Sequence, residues 1–197
     1  MPDDGFLSDL KRAREEEYFH KREQALAEEA RQRSLREAEK KKLGAMMGIS
    51  EEHLLADLLE AGFTTDTIPL LYLIPALEVA WVDGSSSEGE HARMLELARL
   101  QGVEWSSPAY EQLLGWLKDK PPADFFGSTL RLIGRVCGLQ SPTDGEATVR
   151  KVMSYCSQIA EASGGWLGLG SKVSRPEAQI LDRIARELEM CKGNAKE

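Results

Sequence analysis

Between Phe6 and Leu43 the chain contains neither glycine nor proline, and the run is dense in Glu, Arg, Lys, Gln and Ala. These are good helix formers, and no strand extends over such a length. The segment therefore reads as one long helix, with Ser8 as its N-cap, Asp9 in the first turn and Gly44 as its stop. Glu17 with Lys21, Glu29 with Arg33 and Glu37 with Lys41 stand in the favourable i,i+4 order, each pair contributing about 0.2–0.5 kcal/mol. The apolar stripe is poor. Phe6, Leu7, Leu10 and Ala13 begin it, and Tyr18, Phe19, Leu26, Ala30 and Leu35 continue it only loosely, with no sustained heptad. A helix that polar is expected to leave its own core or to lie on a partner.

Charge separates this region from the rest. Residues 1–48 hold 11 Lys/Arg and 11 Asp/Glu, whereas the whole chain has 25 and 33 for a net charge of −8. All of the excess acid therefore falls in 49–197. Two parts are expected: a long charged helix over 1–48, projecting or binding a partner, and a globular domain over 49–197. The acidic balance argues against binding nucleic acid or an anionic membrane surface through bulk charge.

No stretch offers the ~20 apolar residues of a spanning helix. The longest candidate, Ile68 to Val82, is broken by Pro69, Pro75 and Glu78. The acidic start, MPDDGFLSDLKR, is unlike a secretory signal. Cys137, Cys156 and Cys191 fit neither a disulfide framework nor a zinc knuckle, so they read as small buried hydrophobes in a reducing cytoplasm.

From Ile49 onward the pattern is helical throughout. Apolar residues at helical spacing predict helices from Ser50 to Gly62, from Thr65–Asp66 to Asp83–Gly84, from Ser87 to Gly102 and from Pro108 to Pro121. Three more are expected over Ala123–Gly138, Glu146–Ala162 and Pro176–Met190. The second is apolar on most faces and belongs at the centre. Alternating runs are missing and β-branched residues sparse, so the fold class is all-α: a bundle of about seven helices preceded by the long charged helix.

Two loop-to-helix junctions look alike, AWVDGSSSEGEHARMLELARL and GGWLGLGSKVSRPEAQILDRIARELE. In each a Ser stands three residues before a Glu, Ser87 before Glu90 and Ser174 before Glu177. That is capping-box spacing: the Ser oxygen accepts the N3 amide while the Glu returns to the Ser amide. Apolar residues then follow each Glu at +4, +7 and +8: Met94, Leu97 and Ala98, and Leu181, Ile184 and Ala185.

The first junction resembles the tellurite-resistance TerB-like family through Ala80, Asp83, Gly84, Glu90 and the Leu97–Ala98 pair, with Glu177 in the second copy. In the second copy Leu169 stands where an Asp would precede the Gly. The resemblance spans roughly residues 50 to 190. It implies an all-α domain associated with stress and metal-resistance systems, in metal binding or in scaffolding membrane-linked complexes. The segment KRAREEEYFHKREQALAE is similar to the inhibitory helix of ATP synthase inhibitor proteins, in Glu15, Glu16, Glu17, Tyr18 and Phe19, then Lys21, Glu23 and Leu26. That resemblance implies a helix that enters a catalytic interface of a rotary ATPase and blocks hydrolysis.

For chemistry, Asp83, Glu88 and Glu90 form the tightest carboxylate group outside the first helix. With carbonyls of the Gly84–Ser87 turn they could offer hard oxygen ligands to a divalent cation, against the alternative that Glu90 closes a cap and Asp83 ends a helix. His20, His53 and His91 are unpaired at zinc spacing. The run ASGGWLGLGSK lacks the Walker pattern and a preceding strand, and reads as a hairpin turn anchored by Trp166 and Leu167. No nucleophile elbow is present.

The leading expectation is a non-enzymatic interaction or stress-response protein, without a cofactor. Its N-terminal helix would dock on a protein partner through Glu15, Glu16, Glu17, Tyr18 and Phe19. The alternatives are a regulator that inhibits an ATPase through that helix, and a divalent-metal-binding domain using Asp83, Glu88 and Glu90.

Overall fold

A computed structural model describes the backbone of residues 4–162 and 174–193, and the side chains of 14, 17–162 and 174–189. The described residues form eight α-helices and one 3-10 helix, with no strand. By contacts the chain divides into two units, residues 1–42 and 43–197.

The long charged run is helical. α1 spans Asp4–Met47, roughly 66 Å at 1.5 Å per residue. It begins a full turn ahead of Ser8, which therefore lies inside the helix rather than at its cap. It also runs through Gly44 and stops at Gly48, whose φ of +67° is the left-handed conformation glycine tolerates. The Ile49 amide donates to the Gly44 carbonyl at 2.9 Å, the long hydrogen bond of a Schellman motif. Ile49 and Leu43, which stand where that motif usually makes its apolar contact, are both buried. Gly44 has a packing role instead: a Cβ there would lie 2.7 Å from the Ile49 carbonyl oxygen and 2.9 Å from Leu55 Cδ1. Along α1, Lys21 bonds Glu17 at 2.7 Å, while Glu37 pairs with Lys40 at i,i+3 and not with Lys41.

In the second unit α2 (Glu52–Glu60) buries Leu54, Leu55 and Leu58. The apolar segment after it is not one helix. It is a 3-10 helix, Ile68–Leu73, followed by α3, Ile74–Ala80. Pro69 and Pro75 each sit at the start of one of these pieces, where a missing N–H does no harm; in one continuous helix Pro75 would break an internal bond. Thr67 organises the preceding turn. Its hydroxyl accepts from the Thr64 amide at 2.9 Å and donates to the Gly62 carbonyl at 3.1 Å.

α3 buries Ile74, Pro75, Ala76, Leu77, Val79 and Ala80 and packs against α7, which makes it the central element. α4 (Glu88–Leu100) runs antiparallel to α7 (Pro142–Ala162): Gly89 approaches Ala162, Arg93 bonds Gln158, and Gln101 bonds Tyr155. α5 (Pro108–Lys118) is capped by Ser107, whose hydroxyl accepts from the Tyr110 amide at 3.2 Å. α6 (Ala123–Leu139) packs on α8 (Arg175–Gly193) and on α2. Its Arg135 bridges Glu51 and Asp57. α7 begins four residues before Glu146, because Ser141 caps it through the Asp144 amide at 3.2 Å and Pro142 fills the first helical position. Among the described residues no helix is long and apolar enough to cross a membrane.

Candidate functional site

The turn from α3 to α4 is fixed at both ends. Trp81 Nε1 donates to the Trp116 carbonyl at 3.0 Å, and Lys120 Nζ donates to the Trp81 carbonyl at 3.0 Å. At the far end the capping box forms as the spacing requires. The Ser87 amide donates to Glu90 Oε2 at 2.7 Å, and the Glu90 amide to Ser87 Oγ at 3.2 Å. The second box repeats it: the Ser174 amide donates to Glu177 Oε2 at 2.5 Å and the Glu177 amide to Ser174 Oγ at 3.3 Å. Both glutamates are buried, with 4% and 1% of their surface exposed. Burial of a carboxylate is tolerated here because amides at a helix N-terminus solvate it and the macrodipole favours its charge.

Of the three carboxylates read as possible cation ligands, Glu90 is committed to the cap, while Asp83 and Glu88 are exposed. Among the described residues no three His, Cys, Asp or Glu side chains gather closely enough to hold a metal ion. The sequence did not point to a contact between Ser86 Oγ and His91 Nε2. These occupy N′ and N4 of α4, the pair of positions that a hydrophobic staple joins, so the signal lies in register and not in residue type.

On α1, Tyr18 and Phe19 are 60% and 58% exposed, and their rings meet edge-to-face with centroids 5.8 Å apart. Leu26, also exposed, falls between them in helical register, so the three share roughly 100° of the helix surface. The bond from Lys21 holds the Glu17 carboxyl below its ordinary range. The side chains of Glu15 and Glu16 lie outside the described residues, as do Trp166, Leu167 and the glycine-rich run around them.

Cys137 and Cys156 are buried, and burial followed by the neighbouring Glu78 charge pushes the Cys156 thiol far up, which leaves it inert as a nucleophile. Glu78 itself meets Arg183 of α8 at 2.6 Å.

A second feature had no counterpart in the sequence reading. Trp105 is 72% exposed, in the loop between α4 and α5, with its ring centroid 4.8 Å from that of Tyr110. It borders an apolar cleft of about 270 Å³ together with Ala92, Leu95, Val103 and Arg99. An aromatic in a polar E-W-S-S-P turn is the signal that marks it, since no helical periodicity accounts for it. Comparison with known protein families, with curated proteins and with solved structures finds no match to this chain.

Proposed function

We propose that the protein is a non-enzymatic helical interaction protein, in which α1 docks on a folded protein partner through Tyr18 and Phe19. One observation carries the reading: two adjacent aromatic rings stand mostly in water on a helix whose neighbouring side chains are polar and exposed. Exposed aromatic pairs are costly to leave wet, and Tyr is among the residues that dominate binding energy at interface centres. The flanking charges, represented by the Glu17–Lys21 pair, set register more than affinity, because exposed ion pairs contribute about 0–1 kcal/mol. The likeness of residues 50–190 to TerB-like domains fits a scaffold that carries such a helix.

The test uses full-length protein, the Tyr18→Ala/Phe19→Ala double variant and residues 43–197 as baits, with bound proteins identified by mass spectrometry and the affinity then measured with the purified partner. The reading expects a partner held by the full chain and lost by both other baits. Loss of two anchors should weaken binding by about thirtyfold or more. An unchanged set of partners on all three baits would remove α1 from function. Inhibition of a rotary ATPase by a peptide covering 6–43 would identify the partner class as that enzyme.

A further inference from the structure

The cleft beside Trp105 lies on the second unit and is independent of α1. Its floor is made by how α4 ends. Gly102, at φ +85°, turns the chain so that the Val103 amide reaches the Ala98 carbonyl at 3.1 Å and the Gly102 amide the Arg99 carbonyl at 3.0 Å. In this Schellman closure Val103 and Ala98 are both buried. The far wall is made by how α5 begins, with Ser107 capping the helix that carries Tyr110. Between these fixed points the Ser107 amide donates to the Glu104 carbonyl at 3.2 Å, and Ser106 takes a φ of +62°. A non-glycine residue rarely adopts that conformation, and where one does the surroundings impose it. The result is an indole held against Tyr110 while most of its surface stays in water.

The rim charges differ. Glu96 is paired with Arg93. Arg99 lines the cleft and has no acidic partner among the described residues. At the end of α4 the carbonyls of Leu97, Ala98 and Arg99 accept from the amides of Gln101, Gly102 and Val103. An apolar slot lined by one arginine that has no acidic partner among the described residues matches a molecule with an apolar body and a single carboxylate.

We propose that this cleft is a binding site for a small amphipathic carboxylate, an aryl-alkyl or medium-chain acid. Its apolar body packs against Leu95, Val103, Trp105 and Tyr110, and its carboxylate pairs with Arg99. The cleft, at about 270 Å³, is smaller than a drug-sized pocket, so it suits a ring with a short tail or a chain of about eight carbons. A ligand of that size binds at roughly millimolar concentration.

The experiment titrates the full-length protein with 4-phenylbutyrate and with octanoate, to about 20 mM, and follows the tryptophan indole N–H signals by two-dimensional NMR. The chain has four tryptophans, so Trp105 is read separately and the others report on the fold. The site expects a saturable shift of the Trp105 signal alone. Replacing the acid with 4-phenylbutanol should weaken binding by about tenfold, and Arg99→Gln should abolish that preference while the other indole signals stay in place. Ala92→Phe, at an exposed rim position, should fill the slot and remove binding of both acids. No shift of Trp105 at the highest concentration would overturn the assignment, as would equal binding of acid and alcohol or undiminished binding in Ala92→Phe.

Discussion

Alanine in place of glycine inside a helix ordinarily stabilises by about 0.5–1 kcal/mol, because glycine loses more chain entropy on folding. At Gly44 the sign should reverse. The new Cβ would stand 2.7 Å from the Ile49 carbonyl oxygen and 2.9 Å from Leu55 Cδ1. The leucine methyl can rotate away. The oxygen cannot, since it belongs to a residue whose own amide is bonded to the Gly44 carbonyl and whose side chain is buried. Relief therefore means opening the Schellman turn or shifting the end of α1. Overpacking of that kind costs about 1–3 kcal/mol, which leaves a net loss near 1–2 kcal/mol. In a unit of this size that lowers Tm by about 3–6 °C. Gly115 is the matched control: it is helical, exposed, and has nothing within 4 Å of an added Cβ. Gly115→Ala should raise Tm by about 1–4 °C. Thermal and urea unfolding followed by circular dichroism at 222 nm would measure both. If Gly44→Ala melted at or above the parent protein, close approach would not be the reason a glycine stands there.

Two further predictions concern the core and the caps. Burial, with a smaller contribution from nearby Cys137, pushes the Tyr72 phenol up to about 12 from its ordinary 10. A raised value means that the folded state favours the neutral phenol. This contribution, about 2.7 kcal/mol, is complete below pH 10 and fades as pH climbs from 10 to 12. Urea unfolding on either side of that window should show the fall in the parent and a shallower one in Tyr72→Phe; identical slopes would place the loss at other groups. Ser87→Ala and Ser174→Ala each remove the acceptor for a glutamate amide and half of a reciprocal cap. Each should cost about 1 kcal/mol, read as a shift in the urea midpoint with unchanged m-value, and a neutral outcome at both would make the boxes incidental.

What the sequence disclosed about this fold depended on how local the determining physics is. The two capping boxes were legible because a Ser and a Glu three residues apart satisfy each other within one turn, and both formed. The all-α class was legible because periodicity is summed over whole segments. The start of α7 at Pro142 was equally local, and Ser141, Pro142 and Asp144 are an N-terminal signature. It was obscured by Gly145, which normally discourages a helix but is placed where a Cβ would meet the Cys137 carbonyl at 2.9 Å. Gly44 misled in the same way. In both cases a tertiary approach, which no neighbouring residue reports, decides why glycine is present. The break between the 3-10 helix and α3 is signalled by Pro75, but the continuous hydrophobicity around it masks the signal.

The same distinction separates the two surfaces that bear on function. Tyr18 and Phe19 are conspicuous in sequence because a charged helix gives aromatics nothing nearby to bury against. Their exposure follows from the composition of α1 itself. Trp105 is inconspicuous, since its setting is assembled from the end of one helix and the beginning of the next: Gly102 and Val103 on one side, Ser107 and Tyr110 on the other. Each half is a routine way to finish or start a helix, satisfying carbonyls or amides that would otherwise be orphaned. Only their juxtaposition holds an indole over an apolar slot lined by Arg99. If the cleft binds its acid, the ligand site will have arisen from two capping motifs whose first task is to close helices. Substitutions that weaken either cap, such as Ser107→Ala, should then loosen Trp105 and reduce binding without touching any residue that lines the slot.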